Sequence, residues 1–457
     1  VLPGELALPV RAVAGTPGSN VTLKSLRVAF REFVAQYAFA TDRGWSGLER
    51  IGAEVEFLPI DTASGTIAPI DAQSGPATGP VLRGAAREYE WQEVRSSKSG
   101  APLFILPNGG RISYEPGGQI EYAAPPFHSV SALLDDIEAV IGQLSAALER
   151  AGIVPLHLGI DPTSPVERVP LRVESERYRH MDAYFATLGQ NGARMMRQTA
   201  SLQLTLERGP DPLLRWQLLN ALVPYLAAVF ANSPVYAGRS VGSYSMRRLV
   251  WDSLDPARTG IPWGAQAVDR YAAFALAAPV FVEGLAPSPF PPLGELLERW
   301  GELRPESCVA HLSTLFPEVR PRGYYEVRTV DALDPHWYAA PLLFLVGLVW
   351  NPKIAAAAIE ISGDPDPTLL RLASRRGLED ERLGPRSQEL FRLALSGCES
   401  LPVEVLRRRD LERAMQFFEQ YTRAGRCPGA EWPYSRGALE RGPTANSAPM
   451  YQQAQSQ

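Results

Sequence analysis

Two hydrophobic periods alternate along the chain. In "LKSLRVAFREFVAQYAF" the residues Leu23, Leu26, Phe30, Phe33, Val34 and Tyr37 recur at helical spacing, which predicts an amphipathic helix. The period then drops to two. "RIGAEVEFLPI" sets Ile51, Ala53, Val55 and Phe57 against Gly52, Glu54, Glu56 and Leu58, so a strand is predicted with both glutamates on one face. Residues 61–80, rich in Gly, Pro, Ser, Thr and Asp, read as a loop. "LFILPNGGRISYE" then places two β-rich runs around Asn108-Gly109-Gly110, residues that tolerate the positive φ of a tight hairpin. "SVSALLDDIEAVIGQLSAALERAG" carries Val130, Leu133, Leu134, Ile137, Ile141, Leu144 and Leu148 on one stripe, with Gly152 where a helix is closed.

Further on, 171–200 mixes helix and loop, and "ASLQLTLE" (200–207) alternates again. Leu202, Leu204 and Leu206 face one way there, Gln203 and Thr205 the other. A long apolar helix is expected at 212–231, a β-rich run at 323–332 with Tyr324, Glu326 and Arg328 on a common face, and helices through 337–420. No unit repeats at a period of 20–50 residues. Strands with one polar face, interspersed with long helices and containing a hairpin, predict an α+β fold with antiparallel pairing. One catalytic domain is expected over 21–435, between a loose segment at 1–20 and a polar tail at 436–457.

Composition narrows the function classes. The chain has 457 residues, 45% hydrophobic and 21% charged, as a soluble globular protein does. A net charge of -5 and the lack of a basic run interleaved with aromatics argue against a nucleic-acid partner. Cys308, Cys398 and Cys427 lie far apart in sequence and suggest neither a disulfide framework nor a zinc site, so a reducing, cytoplasmic setting is expected. Prolines and glycines break the first twenty residues, which therefore read poorly as a signal peptide. The apolar run at 337–350 is shorter than the ~20 residues of a membrane span and is interrupted by Pro341 and Gly347. It reads as a buried core helix, and no membrane partner is expected.

The charged strand positions carry the chemistry. Glu54 and Glu56, Glu115 and Glu121 around a Pro-Gly-Gly turn, Gln203 and Thr205, and Glu326 and Arg328 all fall in β-like segments, where acidic residues are disfavoured. A solvated sheet face would explain any one of them. Carboxylates grouped on one face with few lysines nearby would also suit a divalent cation, which takes hard oxygen ligands together with substrate phosphates. Arg328 could then meet a phosphate bidentately. Spacing alone leaves both readings open.

"IGAEVEF", "ISYEPGGQIEYAAPP", "RYRHMDAYFATLGQNGARMMRQTASLQLTLE", "SMRRLVWDSLDPARTG" and "YYEVRTVDALDPHW" occur in the order seen in the plant-type (family 2) glutamate-cysteine ligases, which the chain resembles. "HLSTLFPEVRPRGYYEVRTVD" and "RAGRCPG" are similar to the branch of that family used in ergothioneine pathways, and the likeness runs from about Arg50 to about Gly429. It implies a fold like the catalytic domain of glutamine synthetase, with a curved antiparallel sheet flanked by helices around ATP, glutamate and two or more Mg2+ ions. The implied reaction phosphorylates the γ-carboxylate of glutamate, after which the amine of cysteine displaces phosphate. The implied partners are these three substrates, and the implied assembly is a monomer or homodimer.

The resemblance assigns residues as well. Glu54 and Glu56 match a first metal-binding pair, Glu115 and Glu121 a second, and Glu326 the ligand that closes the cluster. Arg328 matches an arginine near the transferred phosphoryl group. Arg247 matches a clamp for the glutamate substrate with Trp251 behind it, and Arg258 a phosphate or substrate contact. Where the family usually reads Gln-x-Asn-x-Asp, this chain has Gln203, Thr205 and Glu207, so a hydroxyl replaces an amide on the strand expected to meet the nucleotide. The stretch from Asp71 to Pro107 looks longer than in the ergothioneine branch and reads as a lid, an acceptor loop or a surface elaboration. Lone His180 and His311 read as structural, Met195 and Met196 as packing, and Cys427 takes no role. A ligase with another amine acceptor shares the same motifs. Thr205 keeps open a catalytically silent relative that binds nucleotide or glutamate or serves in an assembly, and the full set of glutamates argues against it.

Overall fold

The computed structural model describes residues 23–41, 45–96, 100–264, 266–281, 290–300 and 303–431. The segments expected to be loose, 1–20 and 436–457, lie outside the described residues. Strand β1 (Ile51–Asp61) is the longest and the hub of the sheet. β2 (Gln92–Arg95), β3 (Pro102–Ile105), β4 (Arg111–Tyr114) and β5 (Ile120–Ala123) follow, then β6 (Ile153–Leu156) and β7 (Ser201–Leu206). β8 (Val235–Tyr236) and β9 (Arg239–Ser240) form a small separate hairpin, and β10 (Val319–Pro321) and β11 (Tyr325–Asp331) complete the set. The main sheet runs β10-β11-β7-β1-β5-β4-β3-β2, with β6 pairing the far half of β1. Among the described residues its strand pairs are all antiparallel.

Alternation explains which way this sheet faces. Ile51, Ala53, Val55 and Phe57 of β1 are buried with Ile120 and Tyr122 of β5, Leu202, Leu204 and Leu206 of β7, and Val327 of β11. These side chains share one core with the helices Val130–Arg150, Pro212–Val229, Ala339–Val349 and Leu383–Glu399. Ser129 caps the first of these helices by accepting from the Ala132 amide at 3.2 Å. Every residue of Ala339–Val349 is buried, so the apolar run at 337–350 is a core helix. Among the described residues, no single helix is long and apolar enough to cross a membrane.

Two local readings change. A helix, Thr78–Glu88, begins inside the expected 61–80 loop, and with the β2–β3 hairpin it makes up much of the stretch from Asp71 to Pro107. Gly79, Pro80 and Gly84 hide it from propensity, and burial of Leu82, Ala85 and Ala86 stabilises it. The stretch is thus an edge of the sheet with a helix packed on Val130–Arg150.

The turn between β4 and β5 is tied down from both sides. Its backbone closes through Gly118 N–H to Glu115 O and Glu115 N–H to Gln119 O, both at 2.9 Å. Gln119 accepts from Gly117 N–H at 2.9 Å and donates to Thr199 O at 2.9 Å, anchoring the turn to the end of the helix Asn191–Gln198. Gly118 has φ of +93°. A Cβ on Gly117 would lie 2.0 Å from Arg197 O, so the turn and helix touch through bare backbone.

Two predictions follow from this packing. Gly117→Ala should lower stability by about 1–3 kcal/mol, as overpacking does, read as a lower urea midpoint. His311 is fully buried with Nε2 2.7 Å from Ala275 O, and burial, helped by Arg258, pushes its pKa down to about 3. The unfolded imidazole protonates near 6.5. This histidine therefore costs nothing above that pH and lowers stability as pH falls below it. Between pH 7 and 5, wild type should lose about 2 kcal/mol more unfolding free energy than His311→Gln.

Candidate active site

The face of the sheet opposite the core is acidic at its centre. Glu54 on β1 stands opposite Gln203 on β7 and Ala123 on β5. Two residues on, Glu56 stands opposite Glu121, and Glu121 opposite Ser113 on β4. Thr205 stands between Gly52 and Glu326, and Glu326 faces Arg320 on β10. Like charges directly opposite on neighbouring strands repel, which makes this register costly unless something offsets it.

Glu54, Glu115 and Glu121 show that cost. Burial raises the Glu54 pKa, and Glu326 adds to it. Burial pushes Glu115 up to about 7, with the charges of Glu56 and Glu54 contributing. Glu121 is raised well above the usual carboxylate range by burial together with Glu54, Glu115 and Glu56, although Ser113 Oγ donates to it at 3.2 Å. Glu115 and Glu121 thus act on the same group of charges from the two ends of the Pro-Gly-Gly turn.

Glu56 and Glu326 are held by protein donors instead. Glu56 accepts from Ser201 N–H and Oγ at 2.8 and 3.0 Å and from Gln203 Nε2 at 2.6 Å. Arg320 Nη2 lies 2.7 and 3.0 Å from the two oxygens of Glu326, Arg322 Nη1 lies 3.3 Å from one, and Arg328 pairs with the other. Burial would raise the Glu326 pKa, but Arg320, Arg328 and Arg322 pull it far below the usual range. The residue expected to close a metal cluster is thus held by three guanidinium groups. Gln203 links the two groups by donating to Glu56 and accepting from Arg328.

Arg247 is buried beside this face. Its guanidinium donates to Thr329 O at 3.2 Å and Arg328 O at 2.7 Å and lies 4.8 Å from the ring centroid of Trp251. Trp251 is fixed by its indole N–H to Phe316 O at 3.2 Å and packs with Met181, Tyr184 and Met196. Arg258 has a different setting. It is fully buried and donates to Thr314 O at 2.8 Å, Thr314 Oγ1 at 2.9 Å and Pro279 O, with its guanidinium 3.7 Å from the Phe281 centroid. Those contacts and Asp255 at 3.3 Å engage it in the aromatic cluster rather than on the acidic face.

Sequence reasoning missed Arg320, Arg322 and Arg177. The first two had a signal: "RPRGYYE" is a hairpin about Gly323, which places Arg320 across from Glu326. Arg177, half-buried in the helix Glu176–Ala186, had none. It donates to Ser313 O at 2.9 Å, and its charge is felt by Glu115. Among the described residues, no three carboxylate, imidazole or thiol groups are gathered closely enough to chelate one ion as they stand. The arrangement is a sheet face with excess carboxylate on β1 and β5 and excess guanidinium on β10 and β11.

Comparison with known proteins fits that chemistry. The family model described as glutamate-cysteine ligase family 2 matches residues 50–445. The glutamate-cysteine ligase EgtA of Mycolicibacterium smegmatis is 32% identical over 404 residues, covering 83% of this chain and 92% of that protein. The chloroplastic glutamate-cysteine ligase of Arabidopsis thaliana is 28% identical over 413 residues, covering 85% and 77% respectively. A solved glutamate-cysteine ligase from Francisella tularensis in complex with AMP is 13% identical, covers 86% of this chain and 87% of its own, and has a TM-score of 0.49. With a family model spanning the whole sheet and its helices, the chain belongs to glutamate-cysteine ligase family 2.

Proposed function

We propose that this ATP-dependent ligase makes γ-glutamylcysteine on the acidic face of its sheet, through a γ-glutamyl phosphate. The observation that carries the reading is the register itself, Glu54 and Glu56 of β1 beside β5 with its Glu121, and guanidinium groups on β10 and β11 across β7. Hard carboxylate oxygens are the donors that Mg2+ takes. Glu54, Glu115 and Glu121, whose protonation the crowding of negative charge favours, fit that ion, and Glu56 and Glu326 complete the set. When bound, Mg2+ neutralises phosphate oxygens so that an anionic nucleophile can approach them.

The chain's own residues do the rest by binding and orientation. Arg328, steadied by Gln203 and Glu326, has the planar donor fork that a transferred phosphoryl group needs. Arg320 on β10 and Arg322 in the turn before β11 balance Glu326. Arg247 binds the glutamate substrate, with Trp251 backing its guanidinium. Gln203 and Thr205 lie on the strand assigned to the nucleotide, where the hydroxyl of Thr205 offers a shorter reach than an amide. The amine of cysteine then attacks the acyl carbon, the carbon-oxygen bond to phosphate breaks, and the amine loses its proton. Cys308, Cys398 and Cys427 are free and buried, which supports a reducing, cytoplasmic setting and leaves the substrate as the reacting thiol compound.

Two measurements test this. Given ATP, Mg2+, glutamate and a panel of amines, the enzyme should release phosphate fastest with cysteine and yield a product with the mass of γ-glutamylcysteine. Equal release with other amines would make the cysteine assignment wrong. Glu54→Gln and Glu121→Gln should each lower turnover on the order of 100-fold and raise the Mg2+ concentration needed for half-maximal rate. Wild-type turnover and Mg2+ dependence in both variants would sink the metal-site reading.

A further inference from the structure

We propose that Asp331 is a positioning residue that fixes Arg247 to the β11 backbone beside the acidic face. The proposal rests on the reading of Arg247 as the glutamate-binding arginine. Asp331 ends β11 just after the register shift between Val327 and Val330, and it is 2% exposed. One carboxylate oxygen accepts from Asn232 N–H at 2.9 Å and Ser233 Oγ at 2.7 Å. The other accepts from Ser245 Oγ at 3.2 Å and lies 3.6 Å from Arg247 Nη1. The same hydroxyl of Ser233 accepts from the Arg247 amide at 3.2 Å, so backbone and guanidinium of that arginine are both referred to one carboxylate.

The surroundings leave room for this carboxylate and little else. A Cβ on Gly159 would lie 2.5 Å from its carboxyl carbon. The register shift in β11 sets Arg328 O and Thr329 O side by side as the acceptors of Arg247. Ser201, opposite Asp331 on β7, is the residue that donates to Glu56. One carboxylate therefore holds the substrate arginine in line with Arg328 and with the anchor of Glu56. A residue needed only for folding would not single out one substrate.

Asp331→Asn keeps the shape and removes the charge. Glutamate KM should rise about tenfold, the size of one lost charge-assisted contact, while ATP KM stays at its wild-type value and Tm falls only by the cost of the acceptor lost to the buried donors. In an Arg247→Ala background, where glutamate KM is already raised, Asp331→Asn should add nothing further, because it acts through Arg247. A further rise there, or a parallel loss of kcat, both KM values and Tm in the single variant, overturns the proposal. If Arg247→Ala leaves glutamate KM unchanged, the reading of Arg247 itself fails and takes this one with it. Should Asp331→Asn not fold, Ser233→Ala loosens the same carboxylate. It should raise glutamate KM alone, and a drop in kcat at constant KM refutes the role.

Discussion

The register of β1 is the constraint on which the remaining features depend. Slipping it by one residue against β5 or β7 would drive Glu54 and Glu56 into the core and expose Val55 and Phe57. Burying Ile51, Val55 and Phe57 contributes about 1.5–3 kcal/mol each. Against that, two full charges about 5 Å apart at an effective dielectric of about 20 repel by about 3 kcal/mol. The apolar face outweighs the acidic one, so the core holds the carboxylates where they would not gather by themselves. The fold thus holds carboxylates together in advance of any cation they bind.

Two kinds of carboxylate result from one face. Glu54 of β1 and Glu121 of β5 are buried among like charges and favour protonation, whereas Glu326 on β11 sits among three guanidinium groups and stays ionised. Their difference arises from strand order, because β10 and β11 bring arginines to one side and β4 and β5 bring none that pair with Glu121 among the described residues. A buried ion pair of this kind is poor evidence for stability, since desolvation opposes it. It does place positive charge at a fixed position next to carboxylates, which a phosphoryl-transfer site needs.

The long period-two runs are legible in the sequence because burial enforces their alternation, and β1, β7 and β11 lie where the pattern puts them. The helix Thr78–Glu88 is not, since Gly79, Pro80 and Gly84 resemble loop composition and only tertiary burial overrides it. β10 is three residues long with a proline, too short to show a period, and with it went Arg320. Arg258 illustrates a different limit. Its place in the aromatic cluster, with its guanidinium over Phe281 and donating to Thr314 O and Pro279 O, depends on segments that local sequence does not bring together. The metal, phosphate and substrate roles proposed for these residues come from the family likeness. What could not be read was which carboxylates the protein's own donors would claim, because that depends on strands distant in the chain.

The order of strands in space differs from their order of synthesis. β1, β4 and β5 are complete while β10 and β11, with the arginines that balance Glu326, are still to be made. The acidic strands of this chain are therefore synthesised before the strands that carry their counter-charges. The pairing of β11 on β7, the last in chain order to become available, closes both the sheet and the charge balance. Until that pairing forms, a nascent chain carries the acids without the guanidinium groups, so competence for the reaction arrives all at once rather than strand by strand.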